Sequence, residues 1–173
     1  WGENNAPAIR EDMQGHYLQP AAQAGLGRDE LLRRSDKFLS LAQEFAPHWL
    51  EEGAAIAAAA GVDAQLYLAF VGSVYRGIWR GEECTSYAVS PDYTQEGRIF
   101  FHKNRDNVPR RRCAFLLAPG VPGVNKFIAV SDASVISCIM MVNERGLAGS
   151  ADVGGLAEDR PRFRGWMNTA LLR

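Results

Sequence analysis

The chain has 173 residues, 47% of them hydrophobic, and a formal net charge of −1, which together are typical of one soluble globular domain or a large part of one. Because acidic and basic residues nearly cancel and are interspersed, the sequence offers no long-range field for nucleic acid or for an anionic membrane surface. The longest apolar run, residues 53–62, is too short and too weakly hydrophobic to span a bilayer, so we predict no membrane span.

An irregular arm followed by helices is predicted for the first part of the chain. Residues 1–27 are rich in Gly, Ala, Pro and Gln without clear periodicity and are interpreted as an irregular arm. From Asp29 onwards, apolar residues at spacings of three, four and seven predict an amphipathic helix that ends near Phe45. Pro47 then begins a second helix that runs to about Ala60.

The two residues Gly61 and Asp63, which follow that helix, indicate where one helix ends and the next begins. Gly61 supplies a C-terminal stop, and Asp63 is placed to cap a short third helix that contains Leu66, Tyr67 and Phe70. The segment 1–83 is therefore predicted to be a helical segment that precedes a different kind of structure.

After Cys84 the pattern changes to short β-branched or aromatic runs separated by turn residues, which predicts a sheet. Because the connections are too short for parallel crossovers, we expect a single antiparallel meander. The predicted strands are residues 84–89, 98–102, 112–118, 126–131, 135–142 and 147–152.

The end of the sequence predicts part of a further helix, in residues 164–173. A helical layer followed by one sheet would leave a sheet face uncovered, so we expect the fold to be α+β and incomplete in this chain. The segment 84–173 would then be the first part of a catalytic domain.

Cys84 is the main candidate for chemistry. It stands at the start of a predicted strand, directly after the polar residues Glu82 and Glu83, where a thiol can be exposed. If the Glu83–Cys84 bond is cut, the new α-amino group, with an ordinary pKa of roughly 8, can act as the base for the thiol. The competing interpretation is a small buried hydrophobe, as we expect for Cys113 and Cys138.

Lys103, Asn104, Arg105 and Asp106 follow directly at the end of the next predicted strand, residues 98–102. If the two strands form a hairpin, its open end brings this stretch beside Cys84. A carboxylate could hold the new ammonium there, and an amide or a cation could orient a substrate. The competing interpretation is that Asn104 and Asp106 are turn formers.

In this order, three motifs resemble those of the acyl-coenzyme A:6-aminopenicillanate acyltransferase family, which is similar to the choloylglycine hydrolases. They are Glu-Cys-Thr-Ser at 83–86, Lys-Asn-Arg-Asp at 103–106 and Val-Asn-Glu-Arg-Gly-Leu at 142–147. The resemblance covers about residues 29–173. It implies an N-terminal-nucleophile αββα sandwich and a zymogen that cuts itself between Glu83 and Cys84.

The resemblance also implies the reaction and the roles of individual residues. Cys84 is the nucleophile that attacks a linear, non-peptide amide or an acyl thioester, and Asp106 lies near its amine. Asn104 and Lys103 are substrate or oxyanion candidates, although Lys103 stands where the bile-salt branch has arginine and so lacks the bidentate fork. Asp152 stands where an oxyanion asparagine is often found, and a late asparagine and arginine would lie beyond residue 173.

The implied partners are a small amide or thioester substrate and the remainder of the catalytic domain, in this or another chain. No metal or other cofactor is implied, and no nucleic acid. A homo-oligomer is left open, and so is the compartment, between the cytoplasm and the periplasm or outside of the cell. The run 110–112 of three arginines is interpreted as a solvated strand edge rather than a nucleic-acid patch.

Two alternatives compete with this enzyme. One is a catalytically silent, uncut protein of the same fold with a binding or structural role. The other is a bile-salt hydrolase-like protein whose nucleophile is exposed by simple trimming, which 83 preceding residues with packed helices make less favourable.

Overall fold

The computed structural model describes residues 1–73, 83–106, 110–118, 120, 122–135 and 139–150. The fold is α+β, as predicted. The described residues form two compact units, one of residues 1–73 with 133–135 and one of the other described residues. None of the described helices has the length and apolar character needed to cross a membrane.

Three helices of the first unit confirm the predicted boundaries. They are α3 (Arg28–Phe45), α4 (Pro47–Ala60) and α5 (Ala64–Ser73). Proline occupies the first position of α4, where its missing N–H has no intrahelical partner to lose. Gly61 ends α4 with a φ of 68°, a left-handed conformation that a residue with a Cβ adopts at a cost.

Asp63 caps α5, and its replacement by alanine is expected to lower the free energy of unfolding by about 1 kcal/mol. Its Oδ1 accepts a hydrogen bond from the Leu66 N–H at 2.9 Å. This bond is the first cause of the lowered pKa of Asp63, so the stabilisation is present above the carboxyl's ordinary pKa and is lost as the pH falls through the lowered one. Urea titrations at pH 7 and in acid would measure the free energy of unfolding and its loss at low pH. As a control, Asp36→Ala, in the exposed middle of α3, should lower the free energy of unfolding at neither pH.

The prediction of an irregular arm at residues 1–27 is wrong. The chain forms α1 (Gly2–Met13), a π-helical turn (Gln14–Leu18) and α2 (Gln19–Gln23). Small side chains permit this packing, because a Cβ on Gly2 would lie 2.6 Å from the Ile56 carbonyl oxygen of α4. The residues of this region that enter the hydrophobic core recur every three or four positions, and they are Ala6, Ile9, Met13, Tyr17 and Ala21.

The segment 133–135 is a buried part of the helical unit. The Tyr67 hydroxyl donates to the Ser134 carbonyl oxygen at 3.0 Å, and the Ser134 hydroxyl donates to the Asp12 carboxylate. Val135 is 1% exposed in the same core as Tyr67. The predicted strand 135–142 is therefore wrong at its beginning, because Val135 packs among helices and the strand starts only at Met140.

The second unit contains the strands, and the expected single meander is wrong. Its strands are β1 (Glu83–Val89), β2 (Phe100–Asp106), β3 (Arg112–Leu117), β4 (Phe127–Asp132), β5 (Met140–Asn143) and β6 (Ala148–Ser150). β1 and β2 form a two-stranded antiparallel hairpin, and the described part of β3–β6 forms a separate four-stranded meander. The turn before β6 confirms its sequence signal, since the Asn143 side chain accepts N–H bonds from Arg145 and Leu147, each at 3.0 Å.

Candidate functional site

Cys84 is the second residue of β1, which agrees with its predicted position at the start of a strand. Its side chain is half-buried, and its thiol is free rather than in a disulfide. Cys84 is therefore not sealed in a core, and partial exposure is what nucleophilic chemistry requires of a thiol.

The hairpin expected from the sequence is confirmed. Cys84 pairs with Arg105, and Ser86 pairs with Lys103. Residues that are directly opposite in an antiparallel pair share one face, with Cβ atoms about 4.5–5.5 Å apart. The face that carries Cys84 therefore also carries two cationic residues of β2.

The opposite face of the hairpin carries the other members of the motif. Asn104 pairs with Thr85, one residue along from Cys84, and its side chain is exposed. The backbone of Asp106 pairs with that of Glu83, so the carboxylate-bearing residue is adjacent in register to Cys84. The side chains of Glu83 and Asp106, and the whole of Asp152, lie outside the part of the chain that the structure describes.

A buried charge cluster adjoins the Cys84 face, and sequence reasoning missed it. The Asp132 carboxylate, at the end of β4, is 1% exposed and accepts bonds from three arginines. The shortest comes from Arg105 Nη1 at 3.0 Å, followed by Arg110 Nη1 at 3.3 Å and Arg112 Nε at 3.4 Å. The register partner of Cys84 is thus held by a carboxylate from the other sheet of the same unit.

The interpretation of residues 110–112 as a solvated edge is wrong for Arg110. Its side chain is fully buried, whereas that of Arg112 is 37% exposed. A local pattern does not reveal this, because the acceptor is Asp132, about twenty positions further along the chain. The sequence signal is limited to an aspartate at the end of a strand whose first four residues are apolar.

Cys113 provides an internal comparison for Cys84. It lies in β3, and its thiol is 3.8 Å from the Ser131 carbonyl oxygen. Burial, with the Asp132 carboxylate as a second cause, raises the pKa of the Cys113 thiol. Because the thiolate is the reactive form, the raised pKa makes the Cys113 thiol less reactive at neutral pH than an ordinary cysteine thiol. Cys138 lies outside the described residues.

A cleft of about 530 Å³ lies at the closed end of the hairpin, away from Cys84. Its wall includes Tyr87 and His102, whose rings stack with centroids 4.7 Å apart. His102 belongs to the face opposite Cys84, because it pairs with Tyr87 in the register. This histidine is therefore an exposed side chain stacked on Tyr87 rather than a partner of the thiol, and the cleft is separate from the Cys84 site.

Among residues 1–73 and the described parts of 83–150, no group of three or more His, Cys, Asp and Glu side chains is arranged to hold a metal ion. Comparisons of the chain with protein-family models, with curated proteins and with solved structures give no match.

Proposed function

We propose that this chain is part of a cysteine N-terminal-nucleophile amidohydrolase or acyltransferase, which becomes active when the bond between Glu83 and Cys84 is cut. The proposal includes an αββα sandwich, of which this chain would hold only the first part. The observation that carries it is a half-exposed, free thiol at the mouth of β1, paired in register with the Lys-Asn-Arg-Asp stretch of β2.

Self-cleavage would use the same thiol. Sγ of Cys84 attacks the carbonyl carbon of Glu83, the peptide nitrogen leaves with a proton as the new α-amine, and water hydrolyses the resulting thioester. The products are a chain that ends at Glu83 and one that begins at Cys84.

Turnover would then follow the same bond changes on a substrate. The α-amine takes the thiol proton as Sγ attacks the carbonyl of an amide or a thioester, and the ammonium returns that proton to the leaving group. Water or an acceptor amine resolves the acyl-cysteine, which gives hydrolysis or acyl transfer. Asp106 would hold the ammonium, and Lys103 or Asn104 would orient the substrate.

N-terminal sequencing of the purified protein tests this function. We expect a second N-terminus that begins Cys-Thr-Ser-Tyr, and a Cys84→Ala variant that remains one unbroken chain. Cys113→Ala is the matched control, because it removes a thiol of the same unit that has a raised pKa, and it should be cut like the parent.

Two results would contradict the proposal. A cut that persists in Cys84→Ala would show that another protease makes it. A parent chain that stays intact, with no acylation of Cys84 by an activated ester, would favour a silent protein with a binding or structural role.

A further inference from the structure

A short piece of the sequence after Cys84 is enclosed by the helices that come before it. Residues 133–135 belong to the helical unit, and their exposed fractions are 0%, 0% and 1%. The contacts of this piece, which we call the clasp, therefore join parts of the chain on either side of the Glu83–Cys84 bond. They do so whether or not that bond is intact.

The first and the last described helices of the helical unit hold the clasp. Tyr67 of α5 donates its hydroxyl to the Ser134 carbonyl oxygen at 3.0 Å, and the Ser134 hydroxyl donates to the Asp12 carboxylate of α1. Burial raises the pKa of Tyr67, so its hydroxyl keeps the donated proton near neutral pH. Val135 adds apolar contact, since it lies in the same core as Tyr67. Because these groups are buried, removal of the clasp would leave donors and acceptors without partners.

The clasp is fastened to the four-stranded sheet on both sides. It directly follows Asp132, the last residue of β4. The chain has returned to the sheet at Ile139, whose N–H donates to the Val130 carbonyl oxygen at 2.7 Å. Because paired residues of the sheet lie before and after it, the clasp cannot slide out of the helical core as a loose end. Its withdrawal would require the helices to open.

We propose that the clasp holds the helical segment 1–83 on residues 84–173 after the chain is cut between them, as a permanent subunit rather than a propeptide that leaves. A propeptide that leaves need only cover a surface, whereas the clasp is an internal part of the helical core. Without the helices, Val135 and the polar groups of Ser134 would lose their buried partners. The proposal concerns any cut in residues 74–83 and does not depend on the chemistry of Cys84.

Affinity capture of a cut chain tests the clasp. A site for a sequence-specific protease is inserted between Arg80 and Gly81 of a full-length Cys84→Ala chain that carries an N-terminal affinity tag. After digestion of the folded protein, we expect the piece that begins at Gly81 to stay on the resin with the tagged helical piece, and to leave it in concentrated urea. Cys84→Ala prevents the proposed self-cleavage, so the result is independent of that reaction. Release of the piece in buffer alone would overturn the proposal.

A pair of matched substitutions locates the contact. Val135→Asp places a carboxylate in the helical core and should lower the retained fraction about tenfold or more, because an unpaired charge is strongly disfavoured in an apolar interior. Val142→Asp makes the same change on β5, where the residue is 41% exposed, and should be retained like the parent. Equal retention of the two variants would show that other contacts hold the pieces together and would overturn the proposal.

A milder variant separates the clasp from the folding of the helices. Tyr67→Phe keeps the ring in the core and removes only the hydroxyl that donates to Ser134. We expect about fivefold faster release of the cut piece, the effect of one hydrogen bond, with an unchanged circular dichroism spectrum before digestion. Tyr93→Phe, at a residue that is 85% exposed, is the control and should release the piece at the parent rate. Equal release rates for the two tyrosine variants would remove Tyr67 and Ser134 from the contact and overturn the clasp as described.

Discussion

The variant Asp132→Asn is expected to lose about 3–5 kcal/mol of the free energy of unfolding at pH 7, because it leaves buried guanidinium groups without their shared carboxylate. Asp132 and the Arg110 side chain are 1% and 0% exposed, and Arg105 is only 9% exposed. The amide keeps the shape and one acceptor oxygen, so the loss would reflect the charge rather than a cavity. Urea unfolding followed by circular dichroism measures it.

An exposed ion pair provides the control for Asp132. Arg33→Gln removes a bond to Glu30 at the surface of α3, where solvent screens the interaction, so its effect should be small. If Asp132→Asn were no more destabilising than Arg33→Gln, the three arginines would not depend on Asp132 for their charge balance. Asp132→Glu, which keeps the charge with a longer side chain, should recover part of the stability.

The helices α3–α5 could be predicted because their signals are local. Pro47, Gly61 and Asp63 each act on backbone groups within one helical turn. Pro47 lacks an N–H, Gly61 adopts a positive φ, and Asp63 accepts a capping hydrogen bond. The hairpin could be predicted for a similar reason, since the ten residues between β1 and β2 are too few for a parallel crossover and therefore join antiparallel neighbours.

Features that depend on distant partners could not be predicted in this way. Alanine and glycine in α1 form a helix because Gly2 and Ala6 can approach α4 closely, and this contact is some fifty residues away. Similarly, the chain leaves the sheet after Asp132 because Ser134 and Val135 find partners among the helices. Tertiary contacts of this kind override local propensity.

The candidate site was only partly predictable. The order of Cys84 and the stretch 103–106 was sufficient to place the two strands side by side. The role of Arg105 was missed, because its guanidinium is oriented by Asp132, which is 27 positions away. This arrangement makes Arg105 an additional cation beside the proposed nucleophile. The motif assigned no role to Arg105, which stands between Asn104 and Asp106.

Asp106→Asn is expected to slow acylation of Cys84 by about 10–100-fold, because it removes the charge-assisted hydrogen bond that holds the base, and such a bond contributes about 1.5–3 kcal/mol. Under the proposed mechanism, Asp106 holds the α-amine that accepts the thiol proton, and its backbone is paired with that of Glu83 beside Cys84. The measurement is the burst of p-nitrophenolate from p-nitrophenyl acetate, expressed as a rate per chain that has been cut after Glu83. An amide in place of the carboxylate should keep the strand pairing but lose the ionic bond to the ammonium.

Two further variants separate this role from a structural one. Glu96→Gln changes an exposed carboxylate at the closed end of the same hairpin and should leave the burst rate as it is in the parent. Asp106→Glu retains the charge and should restore part of the rate, which a residue needed only to form a turn would not do, since glutamate is a poor turn former. Equal burst rates in Asp106→Asn and the parent would remove Asp106 from the mechanism and leave Lys103 and Arg105, on the Cys84 face, as the charged residues that the register brings closest to the thiol.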